Sequence, residues 1–239
     1  WLNVATPSIA VDLLNQAKNR FDAQLTAFEL ISDASLELVL RHIPEAKRPD
    51  EISPWYVLAE FSDGDQSAIE HWLAEMMAAG LASDAVMAHN ETQAARLWAL
   101  REHISEAQKR EGVSIKHDIS IPVSRIADFL AAADAALAAA YPGIRVVAFG
   151  HVGDGNLHYN LSRPDAQENG AFIASQPAVN RIVHDIVQAL DGSISAEHAI
   201  GQLKREELQR YKSPVELAMM RSIKQAFDPL GLMNPGKIL

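Results

Sequence analysis

The chain has 239 residues, 48% of them hydrophobic and 22% charged, an ordinary globular balance with room for one large domain or two small ones. Its net charge is −10 and its Lys and Arg residues are scattered, so the clustered basic face of a nucleic-acid binder is missing. Cysteine is absent, which excludes disulfides and thiolate metal sites and leaves His, Asp and Glu to hold any metal. No apolar run approaches the roughly 20 residues of a membrane span. No leader peptide is visible either, so a cytoplasmic location is expected, or a mitochondrial one in a eukaryote. The chain opens on Trp1, which reads as a processed terminus or a cut inside a longer protein.

In chain order, residues 27–31 read as a strand and 33–41 as a helix opened by an Asp33 cap. Residues 55–61 form a strong strand bounded by Pro54 and Asp63–Gly64. A helix over 66–79 ends at Gly80, a short strand covers 85–88, and one long helix runs over 92–110 to Gly112. Residues 115–121 alternate like a strand, and 126–140 form an Ala-rich helix. Strands at 145–149 and 157–161 flank a Gly-rich turn, and helices follow near 178–190, 204–210 and 215–227. The tail over 228–239, with Pro229, Gly231, Pro235 and Gly236, reads as a loop. The pattern fits an α+β fold with a largely antiparallel sheet and helices on one face. Its rhythm suggests duplicated ferredoxin-like units plus C-terminal helices, with residues 1–239 as one domain.

Phe149-Gly-His-Val-Gly-Asp-Gly-Asn-Leu-His-Tyr-Asn160 carries the strongest chemical signal. A two-residue turn at Asp154–Gly155 places His151 opposite His158 and Phe149 opposite Asn160. Opposite residues share a face with Cβ atoms about 4.5–5.5 Å apart. Two imidazoles at that spacing can share a metal with bonds of about 2.0–2.1 Å. The plainer alternative is a hairpin whose histidines only cap the sheet edge.

A third ligand is sought in Gly192-Ser-Ile-Ser-Ala-Glu-His-Ala-Ile-Gly201, where Glu197 and His198 are adjacent. Neighbouring residues point apart, so one can bind metal while the other faces substrate. Alternatively, Glu197 is an acid that opens the next helix. In the helix over 92–110, Arg101 falls among Leu97, Trp98 and Ile104 on the apolar side. A buried guanidinium needs an anion. Arg101 with Ser105, four residues on, makes a carboxylate clamp; the competing reading is an internal salt bridge to Glu106 or a distant acid. Lys116 could add a second positive charge.

Gly150-His-Val-Gly-Asp-Gly-Asn-Leu-His158, Ser193-Ile-Ser-Ala-Glu-His198 and Asn234-Pro-Gly-Lys237 together resemble the C-terminal part of FAD-linked oxidases of the vanillyl-alcohol-oxidase type. The branch they resemble most is that of D-2-hydroxyglutarate and D-lactate dehydrogenases, over essentially the whole chain. The resemblance implies that His151, His158 and Glu197 bind a divalent metal, zinc first, and that His198 removes the substrate hydroxyl proton. It implies that Asn160 holds the α-carboxylate and that Arg101, Ser105 and Lys116 grip the distal end of the acid. Asn234, in the tail motif, would lie near the flavin. The implied partners are a small 2-hydroxy acid, an FAD-binding domain of a parent chain, an unspecified electron acceptor and, compatibly, a second copy in a homodimer. Two cations favour a dicarboxylate such as D-2-hydroxyglutarate over D-lactate or glycolate, with D-malate also admissible.

The sequence departs from the family at Ala199, where many relatives have Gly. It also holds no strand-linked GxGxxG, so FAD would be held mainly by a domain outside this chain. Two competing functions remain at this stage: a metal-dependent hydrolase using the same ligands, and a non-catalytic cap domain stabilised by its histidines.

Overall fold

The computed structural model describes residues 1–62, 65–163 and 169–239. Strand β1 (Leu2–Val4) leads into α1 (Pro7–Phe21), β2 (Leu25–Ser32), α2 (Asp33–His42), β3 (Trp55–Phe61), α3 (Gln66–Ala78) and β4 (Asp84–Ala85). Helices α4 (Glu91–Glu102) and α5 (Ile104–Glu111) then lead to β5 (Ser114–Ile115), β6 (Asp118–Ser120), α6 (Ile126–Ala140), β7 (Arg145–His151) and β8 (Asn156–Ser162). Last come α7 (Asn169–Ala174), α8 (Gln176–Ala189), α9 (Arg205–Tyr211) and α10 (Pro214–Phe227). The expected boundary at Asp63–Gly64 lies outside the described residues.

Local chemistry accounts for the helix starts. Thr6 caps α1 by accepting the Ile9 N–H, and Pro7 fills the first turn. Helix α2 is capped by Ser32, which accepts from the Ser35 N–H; Asp33 sits inside the first turn rather than at the cap. Ser213 and Glu216 form a reciprocal capping box on α10. The long helix expected over 92–110 is two helices, divided at His103, whose N–H is shared between the carbonyls of Ala99 and Arg101. The division lets Leu100 of α4 and Ile104 and Ala107 of α5 enter one core.

The strands form one eight-stranded sheet in the order β4-β1-β3-β2-β7-β8-β5, with β6 also on β8. Every pairing in it is antiparallel. The first part, β1-α1-β2-β3-α3-β4 in spatial order β4-β1-β3-β2, is a ferredoxin-like unit with α2 inserted. The second repeats it: β6, α6, β7, β8 and α8, then a residual fourth position where Ser193 bridges Ser120. The units join edge to edge through β2 and β7, with Glu29 opposite His151, Leu30 opposite Gly150 and Ile31 opposite Phe149. The expected α+β class, antiparallel sheet and duplication are therefore observed.

Helices cover both sides of the sheet, where a single covered face was expected. Phe28, Leu30, Val57, Ala148, Leu157 and Tyr159 enter a core with residues of α1, α3, α6 and α8. Ile31, Tyr56, Leu58, Val147 and Phe149 enter a second core with α2, α4 and α5. The central strands are buried on both faces, which removes the polar alternation that a one-sided sheet would show. Among the described residues no helix is long and apolar enough to cross a membrane.

Candidate metal and substrate site

The β7–β8 hairpin pairs Phe149 with His158 and Val147 with Asn160, a register two residues away from the expected one. The cause is the turn. Residues 152–155 form a loop of stacked turns, in which the N–H groups of Val152, Asp154 and Gly155 bond back to Gly150, His151 and Val152. A two-residue shift preserves side-chain parity. His151 and His158 therefore still share a face, with ring centroids 6.4 Å apart.

Glycine is required here by close approach. A Cβ on Gly150 would stand 2.5 Å from the Asn156 carbonyl oxygen. One on Gly155, at φ +85°, would stand 2.2 Å from that of Ile121.

After Ser193 the chain leaves the sheet and brings Glu197 over the histidines. Buried Asp118 fixes this loop: its Oδ2 accepts the N–H groups of Glu197 and His198 at 2.8 and 2.7 Å. Its Oδ1 accepts the Asn156 amide at 2.8 Å. Burial pushes the Asp118 carboxyl up, but these bonds from His198, Asn156 and Glu197 outweigh it and hold the group below the usual carboxylate range.

Glu197 Oε1 lies 3.5 Å from His151 Nε2, and Oε2 lies 3.7 Å from His158 Nε2. One ligand atom from each of the three residues falls within 4.8 Å of the others. Donors around a tetrahedral zinc with bonds of about 2.0–2.1 Å stand roughly 3.4 Å apart. The donor set thus fits a small divalent ion with little movement. Burial, and then the charge of Arg101, push His158 down to about 4, so its imidazole is neutral near pH 7, the form a metal ligand needs.

His198 stands beside this set, its ring 5.9 Å from that of His158 and its Nδ1 3.7 Å from Asp118 Oδ2. Its side chain is 64% exposed, open to an incoming substrate.

Arg101 is largely withdrawn from solvent, its side chain 11% exposed, and its acid is Glu29. Arg101 Nε donates to Glu29 Oε2 at 2.7 Å, and the guanidinium lies 4.7 Å over the Phe149 ring. Glu106 pairs instead with Arg110 at 3.1 Å. Neither Nη of Arg101 has a hydrogen bond among the described residues, so both stay available to an anion.

Ser105 is exposed on α5, beyond the break at His103. Lys116 is exposed between β5 and β6; partial desolvation and then the nearby Lys109 lower its pKa. Asn160 is buried, its Nδ2 donating to Gln108 and its Oδ1 accepting from the His117 N–H. Asn234 lies exposed in the tail at φ 49°, and four residues on Ile238 bonds to Gly201 in the loop that carries Glu197.

Sequence reasoning missed Glu29 and Asp118. A signal existed for Glu29, an acid inside the apolar run Ala27-Phe-Glu-Leu-Ile31.

Two ferredoxin-like units thus share one antiparallel sheet, with the His151–His158–Glu197 cluster beside their junction. The chain belongs to the family of FAD-linked oxidases: the family model described as "FAD linked oxidases, C-terminal domain" matches residues 2–238. D-2-hydroxyglutarate dehydrogenase of Xanthomonas citri pv. viticola is 43% identical over 240 residues, covering 98% of this chain and 50% of that protein. The enzyme of the same name from Stutzerimonas stutzeri is 42% identical, over 90% of this chain and 47% of its own length. A mitochondrial D-2-hydroxyglutarate dehydrogenase of Arabidopsis thaliana is 35% identical, over 95% of this chain and 40% of its own. The chain thus spans about half the length, or less, of the curated relatives it matches.

Among solved structures, p-cresol methylhydroxylase with substrate bound shares the fold at a TM-score of 0.67 and 12% identity, over 99% of this chain and 51% of that one. A 4-ethylphenol oxidase from Gulosibacter chungangensis does so at 0.58 and 15%, over 99% and 52%. The expected membership of the FAD-linked oxidases is borne out, and the solved structures show that the fold is shared.

Proposed function

We propose that this chain is the substrate- and metal-binding part of an FAD-dependent dehydrogenase that oxidises a D-2-hydroxy acid, D-2-hydroxyglutarate first, to the 2-oxo acid. The observation that carries the reading is the His151–His158–Glu197 donor set with the open His198 ring beside it. The relatives' names support the substrate class.

Oxidation of a 2-hydroxy acid removes the hydroxyl proton and the α-hydride. His151, His158 and Glu197 would hold a divalent ion, zinc by the chemistry of the set, and the ion would supply Lewis acidity toward the hydroxyl. His198 takes the hydroxyl proton on a ring nitrogen, the role of a general base. The free Nη groups of Arg101 bind a carboxylate, with Lys116 and Ser105 completing the distal grip where the substrate reaches them. Asn160 would donate to the α-carboxylate with the second hydrogen of its Nδ2, the first being given to Gln108. The flavin, which a further domain of the parent chain would hold, supplies the acceptor for the α-hydride. Asn234 would lie on the flavin side.

The test joins the chain to its flavin domain and compares D-2-hydroxyglutarate, D-malate, D-lactate and glycolate with an artificial electron acceptor. D-2-hydroxyglutarate is expected to give the highest kcat/KM. A wide lead for D-lactate removes the two-cation argument. Zinc content near one per chain is expected, and lost in His158→Ala; a metal-free protein that turns over at full rate overturns the metal reading.

A further inference from the structure

Glu29 takes no part in the proposed chemistry, yet it is the most deeply buried acid near the site, 1% exposed. A carboxylate taken out of water costs several kcal/mol unless its oxygens are all satisfied. Both are. Oε2 accepts from Arg101 Nε at 2.7 Å, and Oε1 stands 2.5 Å from His151 Nδ1. Strand register produces the second contact, because Glu29 of β2 lies directly opposite His151 of β7.

We infer that Glu29 is a positioning residue for the metal site, setting the tautomer and ring angle of His151. The inference rests on the reading of His151 as a metal ligand. Glu29 Oε2 takes the Arg101 Nε–H, and Oε1 is placed to accept likewise from His151, so Nδ1 is the ring nitrogen that donates. The lone pair is then on Nε2, the atom that faces Glu197 at 3.5 Å. The half-exposed ring would otherwise be free to flip about its Cβ–Cγ bond. Arg101 completes the arrangement: its Nε donates to Glu29 Oε2 while its Nη groups remain for substrate. One buried carboxylate thereby links the imidazole of the metal site to the guanidinium of the substrate site. His158 has a looser counterpart, with Nδ1 3.8 Å from Asp118 Oδ1.

Two measurements on the full chain test this: zinc affinity by chelator competition, and the His151 tautomer by nitrogen-15 NMR of the metal-free protein at pH 8. Glu29→Gln is expected to weaken zinc binding 10–100-fold and to shift His151 away from the Nδ1–H tautomer. Because that variant leaves Arg101 short of a partner, Glu29→Leu/Arg101→Met replaces the buried pair with apolar groups that can pack. It should fold and show the same weakening and the same loss of the tautomer. A folded Glu29→Gln protein with wild-type zinc affinity and an unchanged Nδ1–H tautomer overturns the inference and makes the pair structural. His151→Ala separates the two readings. If it binds zinc as tightly as the wild type, the metal assignment falls, and the tautomer alone decides whether Glu29 sets the ring.

Discussion

The two ferredoxin-like repeats share a sheet and end differently. The first closes with a true fourth strand, β4 pairing Leu2 with Ala85 and Asn3 with Asp84. In the second, the fourth position shrinks to the single bridge between Ser193 and Ser120. Beyond it the loop is held by a side chain, Asp118, which accepts the N–H groups of Glu197 and His198 where a strand would have offered carbonyls. A strand fixes its side chains at alternate positions. A loop pinned by one carboxylate lets two consecutive residues, Glu197 and His198, serve different ends. In this fold the proposed chemistry therefore gathers where the repeat gives up its regular edge, and the complete repeat contributes mainly β2, with Glu29.

The contrast can be broken most sharply at His198. In the protein joined to its flavin domain, His198→Gln should lower turnover of D-2-hydroxyglutarate by about 10²–10⁴-fold, the usual range for a general base. Its zinc content should stay unchanged. Unaltered steady-state rates would remove His198 from the base role.

Next in size is a pair of glycines with similar backbone angles. Gly155→Ala drives a methyl group to 2.2 Å from the Ile121 oxygen at φ +85° and should cost about 3 kcal/mol by urea unfolding. Gly80→Ala in the first repeat, at φ +73° with open space around it, should cost only about 1 kcal/mol. Equal losses would show that the hairpin loop is no tighter than an ordinary helix end.

Acid should also tell the repeats apart. His117, buried in the second, is pushed from 6.5 down to about 4 by burial and then by the His184 ring. The unfolded chain therefore takes up the proton first. The contribution of His117 is full above about 6.5 and is lost as pH falls toward about 4, on the order of 3 kcal/mol in all. Hydrogen exchange at pH 7 and pH 4.5 should show the second repeat losing protection before the first; uniform loss would contradict this.

The smallest effect sits at Ala199, which adopts φ 57° directly after the Glu197–His198 pair. Glycine tolerates that conformation without the Cβ conflict, so Ala199→Gly should stabilise the chain by up to ~1 kcal/mol without changing zinc affinity. A lower melting temperature would show that the alanine methyl group is packed usefully.

Much of this was legible in the sequence, for definable reasons. Hairpin parity put His151 and His158 on one face even though the register was two residues out, because period-2 alternation survives an even shift. Glu197 and His198 came from the resemblance, since their position depends on a loop that no periodicity describes. The break at His103 was hidden because the flanking segments, taken separately, both read as helix. Strand β1 and helix α1 went unassigned, although Thr6–Pro7 marks the helix start. Glu29 and Asp118 stayed out of sight for a different reason: each acts on a residue brought to it only by long-range pairing of the chain.

That long range has a consequence for how the molecule comes together. Glu29 and His151 are 122 residues apart, and Asp118 and Glu197 are 79 apart. Contacts so remote form only after large loops have closed, which places them among the late events of folding. The second repeat can bring His151, His158 and Glu197 together by itself, and Glu29 reaches them only when the first repeat docks. The site is thus completed, rather than created, when β2 and β7 zip together and Glu29 meets His151. An ion held by His151, His158 and Glu197 would clasp the hairpin and the closing loop of the second repeat, and its uptake would report that this repeat has folded.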